Sequence, residues 1–273
     1  MKSDAESVRH TTSATFRKRQ ARLLARIHRR FRTLTETHAV GPLRLPFTRI
    51  EDPDAVLDQI VVEEDRREKL TGDRRDGNAL HLPYWAELWD SALGIGQLLV
   101  DQLDKVTRGQ GDKGTRIAVD SHLVTPLPCH LVRVLDLGCG MGFTGMVAAA
   151  MGTSVLFADL EPDALLFARL NSLRWAQHVR TRKLDWQKDR LNEQFDLILG
   201  ADVLYDRKQW DFLEPFFKAH VANHGTVLLG EPGRHTSDDF PTWIAARGWK
   251  LKHLEQRVAT RPAPIRIFSL QQK

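Results

Sequence analysis

Residues 134–145, VLDLGCGMGFTG, run from a leucine- and valine-rich stretch through Gly138, Gly140, Gly142 and Gly145 into a helical pattern. A strand that enters a glycine turn and leaves as a helix opens backbone N–H groups at a helix N-terminus toward a ligand, which confines the chain to α/β folds with a parallel sheet. The flanking sequence agrees. Strand-like runs at 131–137, 154–159, 179–185, 195–202, 226–231, 249–257 and 264–270 alternate with helical segments at 144–150, 162–175, 211–222 and 240–246. The last two runs follow each other with only a short break, which predicts a hairpin. The expected fold is α/β: a Rossmann-like, seven-stranded, mostly parallel sheet with helices on both faces, the last strand antiparallel, and an N-terminal helical extension.

Three regions divide the chain: a basic amphipathic helical arm over 1–40, an extension with a tryptophan-bearing helix and a loop insertion over 41–130, and a ligand-binding domain over 131–273. In the arm, Phe16, Leu23, Leu24, Ile27, Phe31 and Leu34 recur at helical steps. It carries ten Lys or Arg against three acids, so the net +5 of the 273 residues resolves into +7 there and −2 in the remainder. The arm therefore docks on the body or meets an acidic protein, a nucleic acid such as RNA, or a membrane surface. Residues 41–70 leave a strand pair and a capped helix both open, with a turn at Asp52-Pro53-Asp54. PYWAELWDSALGIGQLLV predicts a helix entered through aromatics, Trp85 being a packing residue.

A composition of 42% hydrophobic and 27% charged residues excludes disorder throughout. No apolar run approaches a membrane span, and Asp4 and Glu6 stand where a signal peptide needs apolar residues. Only Cys129 and Cys139 occur, without metal-ligand spacing, and the histidines show no HExxH pattern. A reducing, cytoplasmic setting without a metal site is expected.

Gly140-x-Gly142-x-x-Gly145, with Asp159 nineteen residues on, satisfies a dinucleotide fingerprint. Asp136, two residues before the first glycine, argues for a different ligand, because a pyrophosphate wants a positive nest whereas a carboxylate suits a cation. S-adenosylmethionine presents an ammonium, a sulfonium, a ribose diol and an adenine. Gly138, Cys139 and Gly140 offer backbone to its methionine end, with Asp136 shaping the loop. Asp159 accepts the ribose hydroxyls, although capping of the next helix is an equal reading of that residue alone. Asp185 and Trp186 meet the adenine, and the small Ala201 keeps the pocket open.

The set VLDLGCGMG, FAD, LDW and GADVLY resembles the seven-β-strand S-adenosylmethionine-dependent methyltransferases, in their protein-lysine branch, across Pro83 to Leu270. The resemblance implies that Trp89, in ELWDSALGIGQLL, contacts the cofactor and that Asp202-Val203-Leu204-Tyr205 is the family's Asp-x-x-Tyr. GEPGR at 230–234 is similar to the enzymes that methylate the electron transfer flavoprotein β subunit. The implied activity is N-methyl transfer to a protein lysine. Asp202 would recruit and orient the ammonium, and Tyr205 would wall the channel and make one hydrogen bond. Glu231 fits a turn equally well. The basic arm and the insertion over 107–128 depart from the family pattern. A small-molecule or nucleic-acid acceptor, and a largely non-catalytic module tethered by the arm, are the alternatives.

Overall fold

The computed structural model describes residues 2–72, 83–107 and 131–273. The turn-rich stretch and the insertion expected beyond Thr107, together with Cys129 and His130, lie outside the described residues. Helix α1 (Lys2–Ile27) is followed by a hairpin of β1 (Thr33–Val40) and β2 (Leu43–Ile50), then α2 (Pro53–Thr71) and α3 (Asp90–Thr107). The arm is thus not helical to residue 40. Phe31 and Leu34 continue the helical count, but TLTETHAV is threonine-rich and pairs from Thr33↔Ile50 to Val40↔Leu43. Cross-strand pairing overrides the local periodicity there. Both readings of 41–70 are realised in succession: after the hairpin, Asp52 caps α2 by accepting Ala55 N at 3.2 Å, Pro53 opens the helix, and Gly72 closes it.

The remaining elements are β3 (Arg133–Leu137), α4 (Phe143–Ala150), β4 (Ser154–Asp159), α5 (Pro162–Asn171), β5 (Val179–Lys183), β6 (Phe195–Ala201), α6 (Trp210–His220), β7 (Val221–Glu231), α7 (Phe240–Ala245), β8 (Trp249–Gln256) and β9 (Ile265–Gln272). Seven of the strands form one sheet in the order β5-β4-β3-β6-β7-β9-β8. The first five are parallel, and β9 inserts antiparallel between β7 and β8. The β8–β9 hairpin therefore delivers the last strand to the sheet interior and leaves β8 at the edge.

Side-chain alternation divides the core between the two faces. Leu135, Leu137, Ile198 and Leu229 pack with Trp210, Phe216, Phe217 and Phe240 from α6 and α7. Val134, Leu197, Leu199 and Leu228 pack on the other face with Ile95 and Leu99 of α3 and Ala148 of α4. A third cluster joins Ile27, Phe31, Phe47, Phe143 and Phe167, fixing α1 and the hairpin to the body. Asn171, buried at the end of α5, ties this layer down: it accepts Thr48 N at 2.8 Å and donates to Thr48 O at 3.0 Å and Met141 O at 2.9 Å. Met141 belongs to the glycine turn, so the hairpin is bolted to the loop that shapes the site.

Candidate active site

The carboxyl ends of β3, β4, β6 and β7 place Asp136, Asp159, Ala201 and Glu231 along one rim of the sheet, where open α/β sheets hold ligands. The glycine turn bends sharply there. Gly140 sits at φ +51°, and a Cβ on it would press to 3.3 Å of Trp85 O. Gly145 opens the close approach of α4 to the sheet: a Cβ would come within 2.4 Å of Phe157 Cε1 and 2.8 Å of Asp136 Oδ2.

Asp159 holds this turn. Its Oδ2 accepts Gly140 N at 2.8 Å and its Oδ1 accepts Glu161 N at 2.9 Å. Each carboxylate oxygen retains a lone pair for a further donor. Asp136 accepts Gly145 N at 2.8 Å. Burial pushes the Asp136 carboxyl up to about 7, against the pull of the Gly145 amide. It likewise pushes Asp159 up to about 6, against the Glu161 and Gly140 amides. Burial raises the Cys139 thiol well above its ordinary value, so that side chain is no nucleophile. The backbone of Cys139 is also committed, its N–H donating to Ala158 O at 3.1 Å. Of the three amides expected to face a ligand, those of Cys139 and Gly140 are therefore engaged inside the protein.

A cavity of about 220 Å³ opens beside the turn. It brings together every expected cofactor-side residue: Trp89, Asp136, Gly138, Cys139, Gly140, Asp159, Asp185, Trp186 and Ala201. Asp185 and Trp186 lie beyond the end of β5, not in it, because Leu184 N turns in to Asp159 O at 2.9 Å. The Trp186 ring faces the cavity and donates Nε1–H to Gln209 Oε1 at 3.0 Å. Trp85 has two roles: it packs edge-on to Phe31 with ring centroids 5.6 Å apart and also borders the cavity.

Among the described residues, six carboxylates line this cavity, those of Glu87, Asp136, Asp159, Glu161, Asp185 and Asp202, and no Lys or Arg does. That donor set rejects a pyrophosphate and fits S-adenosylmethionine, whose ammonium and sulfonium are cationic and whose diol needs acceptors. Asp159 would hold the ribose, and Asp185 with the face of Trp186 the adenine.

A second cavity, of about 370 Å³, shares Tyr84, Trp89, Asp202 and Tyr205 with the first and adds Arg234, His235 and Thr236. Tyr205 is 40% exposed and its ring centroid lies 5.3 Å from that of Tyr84. Burial raises its phenol above the ordinary value, so the ring is neutral and no base. Asp202 differs from expectation. It is buried at φ +57°, and both of its oxygens accept Arg234, from Nε at 3.0 Å and from Nη2 at 3.0 Å. Its carboxylate is thus paired and not free. Glu231, also buried, accepts Gly233 N at 2.8 Å, Arg234 N at 2.9 Å and Ser237 Oγ at 2.8 Å, and it pairs with Arg266. These bonds pull its carboxyl below the usual range despite burial, and they give it the turn role.

Sequence reasoning passed over Tyr84, Glu87, Gln209 and the role of Arg234. The PYWAE and GEPGR segments carried a signal for three of them; nothing in the sequence marked Gln209.

A family model described as lysine methyltransferase matches residues 86–242. The chain belongs to this lysine methyltransferase family. The electron transfer flavoprotein beta subunit lysine methyltransferase of Xenopus laevis is 29% identical over 179 residues, covering 63% of this chain and 58% of the relative. Protein N-lysine methyltransferase METTL21A of Xenopus tropicalis is 36% identical over 107 residues, covering 35% of this chain and 46% of the relative. The chain thus spans about half the length of the curated relatives it matches. Among solved structures, a ribosomal protein L11 methylase from Lactobacillus delbrueckii aligns with a TM-score of 0.44 at 22% identity, over 52% of this chain and 70% of that one. The matched span of the lysine methyltransferase family begins just before Trp89 and ends past Arg234, so it contains nearly all of both cavities.

Proposed function

We propose that this chain is an S-adenosylmethionine-dependent N-methyltransferase that methylates a lysine side chain of a protein substrate. One observation carries the reading: a carboxylate-lined cavity, with no Lys or Arg among its described lining residues, adjoins an aromatic-walled second cavity through the shared residues Tyr84, Trp89, Asp202 and Tyr205. Such a junction brings a cationic donor and a slender acceptor together at near-attack distance. When bound, S-adenosylmethionine supplies an electrophilic methyl carbon for in-line displacement by the amine. Asp159 binds and orients the ribose, Asp136 and the glycine turn form the floor, and Trp186 covers the adenine side. Tyr84 and Tyr205 wall the acceptor channel and exclude water. The amine must arrive neutral, which for an unperturbed lysine at pH 7.4 costs about 4 kcal/mol; desolvation in the channel lowers that cost.

Calorimetry with S-adenosylhomocysteine tests the donor site, and absence of binding ends the proposal. Mass spectrometry of lysate proteins after incubation with isotopically labelled donor tests the acceptor. Methyl-lysine peptides are expected, whereas label confined to small molecules or nucleic acid favours the other acceptor classes. The electron transfer flavoprotein β subunit, from the names of relatives, is the first purified protein to try.

The arm belongs to substrate capture in this reading. Arg17, Lys18, Arg19, Arg22 and Arg26 are exposed on α1, with Arg29 exposed in the turn just after it, and the other side of α1 packs on α5 through buried Ile27. Arg30 is anchored to Asp163. A docked helix presenting this charge suits an acidic protein surface, with RNA as the competing partner. Because truncation would remove Ile27 and Phe31 from the core, charge reversal of Arg17, Arg19 and Arg22 to Glu is the cleaner test. Salt-sensitive association should be lost with S-adenosylhomocysteine binding intact, and ribonuclease treatment separates the two partners. A cytoplasmic setting is part of the proposal, and cell fractionation checks it.

A further inference from the structure

The carboxylate at the junction of the two cavities is already charge-compensated. Asp202 is 7% exposed and takes both bonds of the Arg234 fork at 3.0 Å, the bidentate geometry in which guanidinium and carboxylate are best matched. The guanidinium carbon lies 5.3 Å from the Trp89 ring centroid, so the group is held from a second side. Its backbone is fixed as well. Arg234 N donates to buried Glu231, and Asp202 N donates to Gly230 O at 2.8 Å. Arg234 is therefore a built part of the cavity wall.

Other charges face the pair from each neighbouring element. Glu231 comes from the end of β7, Arg261 from the β8–β9 connection, Glu87 from the segment before α3, and Tyr84 and Tyr205 flank the opening. Of these, Glu231 is neutralised by Arg266. A lone buried carboxylate beside the channel would hold an incoming amine as ammonium, the form that cannot accept a methyl group. A carboxylate–guanidinium pair is neutral overall, yet its oxygens keep lone pairs for an amine N–H.

We propose that Arg234 is a positioning residue: by neutralising Asp202 it turns the pair into a hydrogen-bond acceptor for the substrate amine without locking that amine as ammonium. This rests on the methyl-transfer reading above and assigns a role within the same site.

The test compares n-butylammonium, a mimic of the lysine side chain, with isosteric 1-butanol, titrated at pH 8 and followed by the NMR signal of the Trp89 indole N–H. In the wild type the two should bind within about threefold of each other. Arg234→Gln should raise the preference for the ammonium at least about tenfold, and Asp202→Asn in that background should abolish it again. Arg234→Lys, which keeps the charge, should behave as the wild type does. The proposal is overturned if the wild type already prefers the ammonium by more than about tenfold, or if Arg234→Gln leaves the ratio unchanged. Should Arg234→Gln not fold, the wild-type ratio alone decides. Binding of S-adenosylhomocysteine is read separately, so a failed donor site and a failed role for Arg234 are told apart.

Discussion

The Asp159 carboxylate reaches back nineteen residues to accept the Gly140 amide at 2.8 Å, so the residue assigned to the ribose also fixes the turn beneath the methionine end. Replacing it with Ala removes acceptors for two hydroxyls and orphans the Gly140 and Glu161 amides. At about 1.5 kcal/mol per charge-assisted bond, affinity for S-adenosylhomocysteine should fall on the order of 100-fold. Calorimetry checks this; a loss smaller than about tenfold would show that the ribose is held elsewhere.

Cofactor affinity should also depend on pH. The ionised form of Asp159, whose carboxyl titrates at about 6, is the one that accepts hydroxyl donors. Binding is therefore fully present above that value and weakens as pH falls through it, by about tenfold per pH unit at the limit of one coupled proton. Titrations at pH 5, 6 and 8 measure the slope. A flat profile counts against Asp159 as the ribose acceptor.

Asp136 predicts an effect of opposite sign on stability. Its carboxyl rises from 3.8 to about 7 on burial, so the folded protein binds the extra proton between those values and stability falls as pH rises through them. Asp136→Asn, whose amide oxygen still accepts Gly145 N, should stabilise the ligand-free protein at pH 8 by on the order of 2 kcal/mol and flatten its profile between pH 4 and 7. Urea denaturation at several pH values provides the comparison. An unchanged slope would mean that Asp136 is ionised at little cost.

The parallel sheet and its ligand rim were legible because two signals coincide there: near-continuous apolar runs such as FDLILGA mark buried strands, and glycine turns end them. The Rossmann-type alternation therefore placed Asp136, Asp159 and Ala201 at strand ends, and the structure puts them around one cavity. What escaped depends on tertiary partners. Thr33 to Val40 reads on as a helical face until Leu43 to Ile50 is present to pair with it. The neutralisation of Asp202 depends on a guanidinium thirty-two residues away, and no local spacing encodes that separation. The same holds for Asn171, an unremarkable helix-end residue in sequence.

Asn171 leads to a fourth expectation. Its side chain makes three buried hydrogen bonds that join β2 to the glycine turn. Asn171→Ala leaves Thr48 N, Thr48 O and Met141 O without that partner, at a cost of about 1 kcal/mol or more for each buried group. A loss of about 3 kcal/mol in urea denaturation is expected, accompanied by weaker S-adenosylhomocysteine binding because Met141 borders the donor cavity. A loss below about 1 kcal/mol would show that the hairpin is held by its apolar face alone.

Gly145, in the first turn of α4, has the tightest single approach of the four glycines at 138–145. Its φ is unremarkable, so the requirement is spatial: an added methyl would meet Phe157 Cε1 at 2.4 Å and the Asp136 carboxylate at 2.8 Å. Phe157 is wholly buried in β4 and has no room to retreat. Gly145→Ala must therefore push α4 away from the sheet, and with it the amide that Asp136 accepts. Overpacking of this kind costs about 1–3 kcal/mol. Because the displaced helix carries Phe143 and Thr144 of the cavity wall, cofactor affinity should fall along with stability. Gly72→Ala is the control, since a Cβ there meets nothing within 4 Å and Gly72 lies outside both cavities. Its left-handed φ of 69° makes it costly for folding by about 1 kcal/mol while leaving binding unchanged. Thermal denaturation and calorimetry on the two variants separate a crowding effect at the turn from a general loss of stability. If the two variants lose affinity equally, the close approach of α4 is not what shapes the donor cavity.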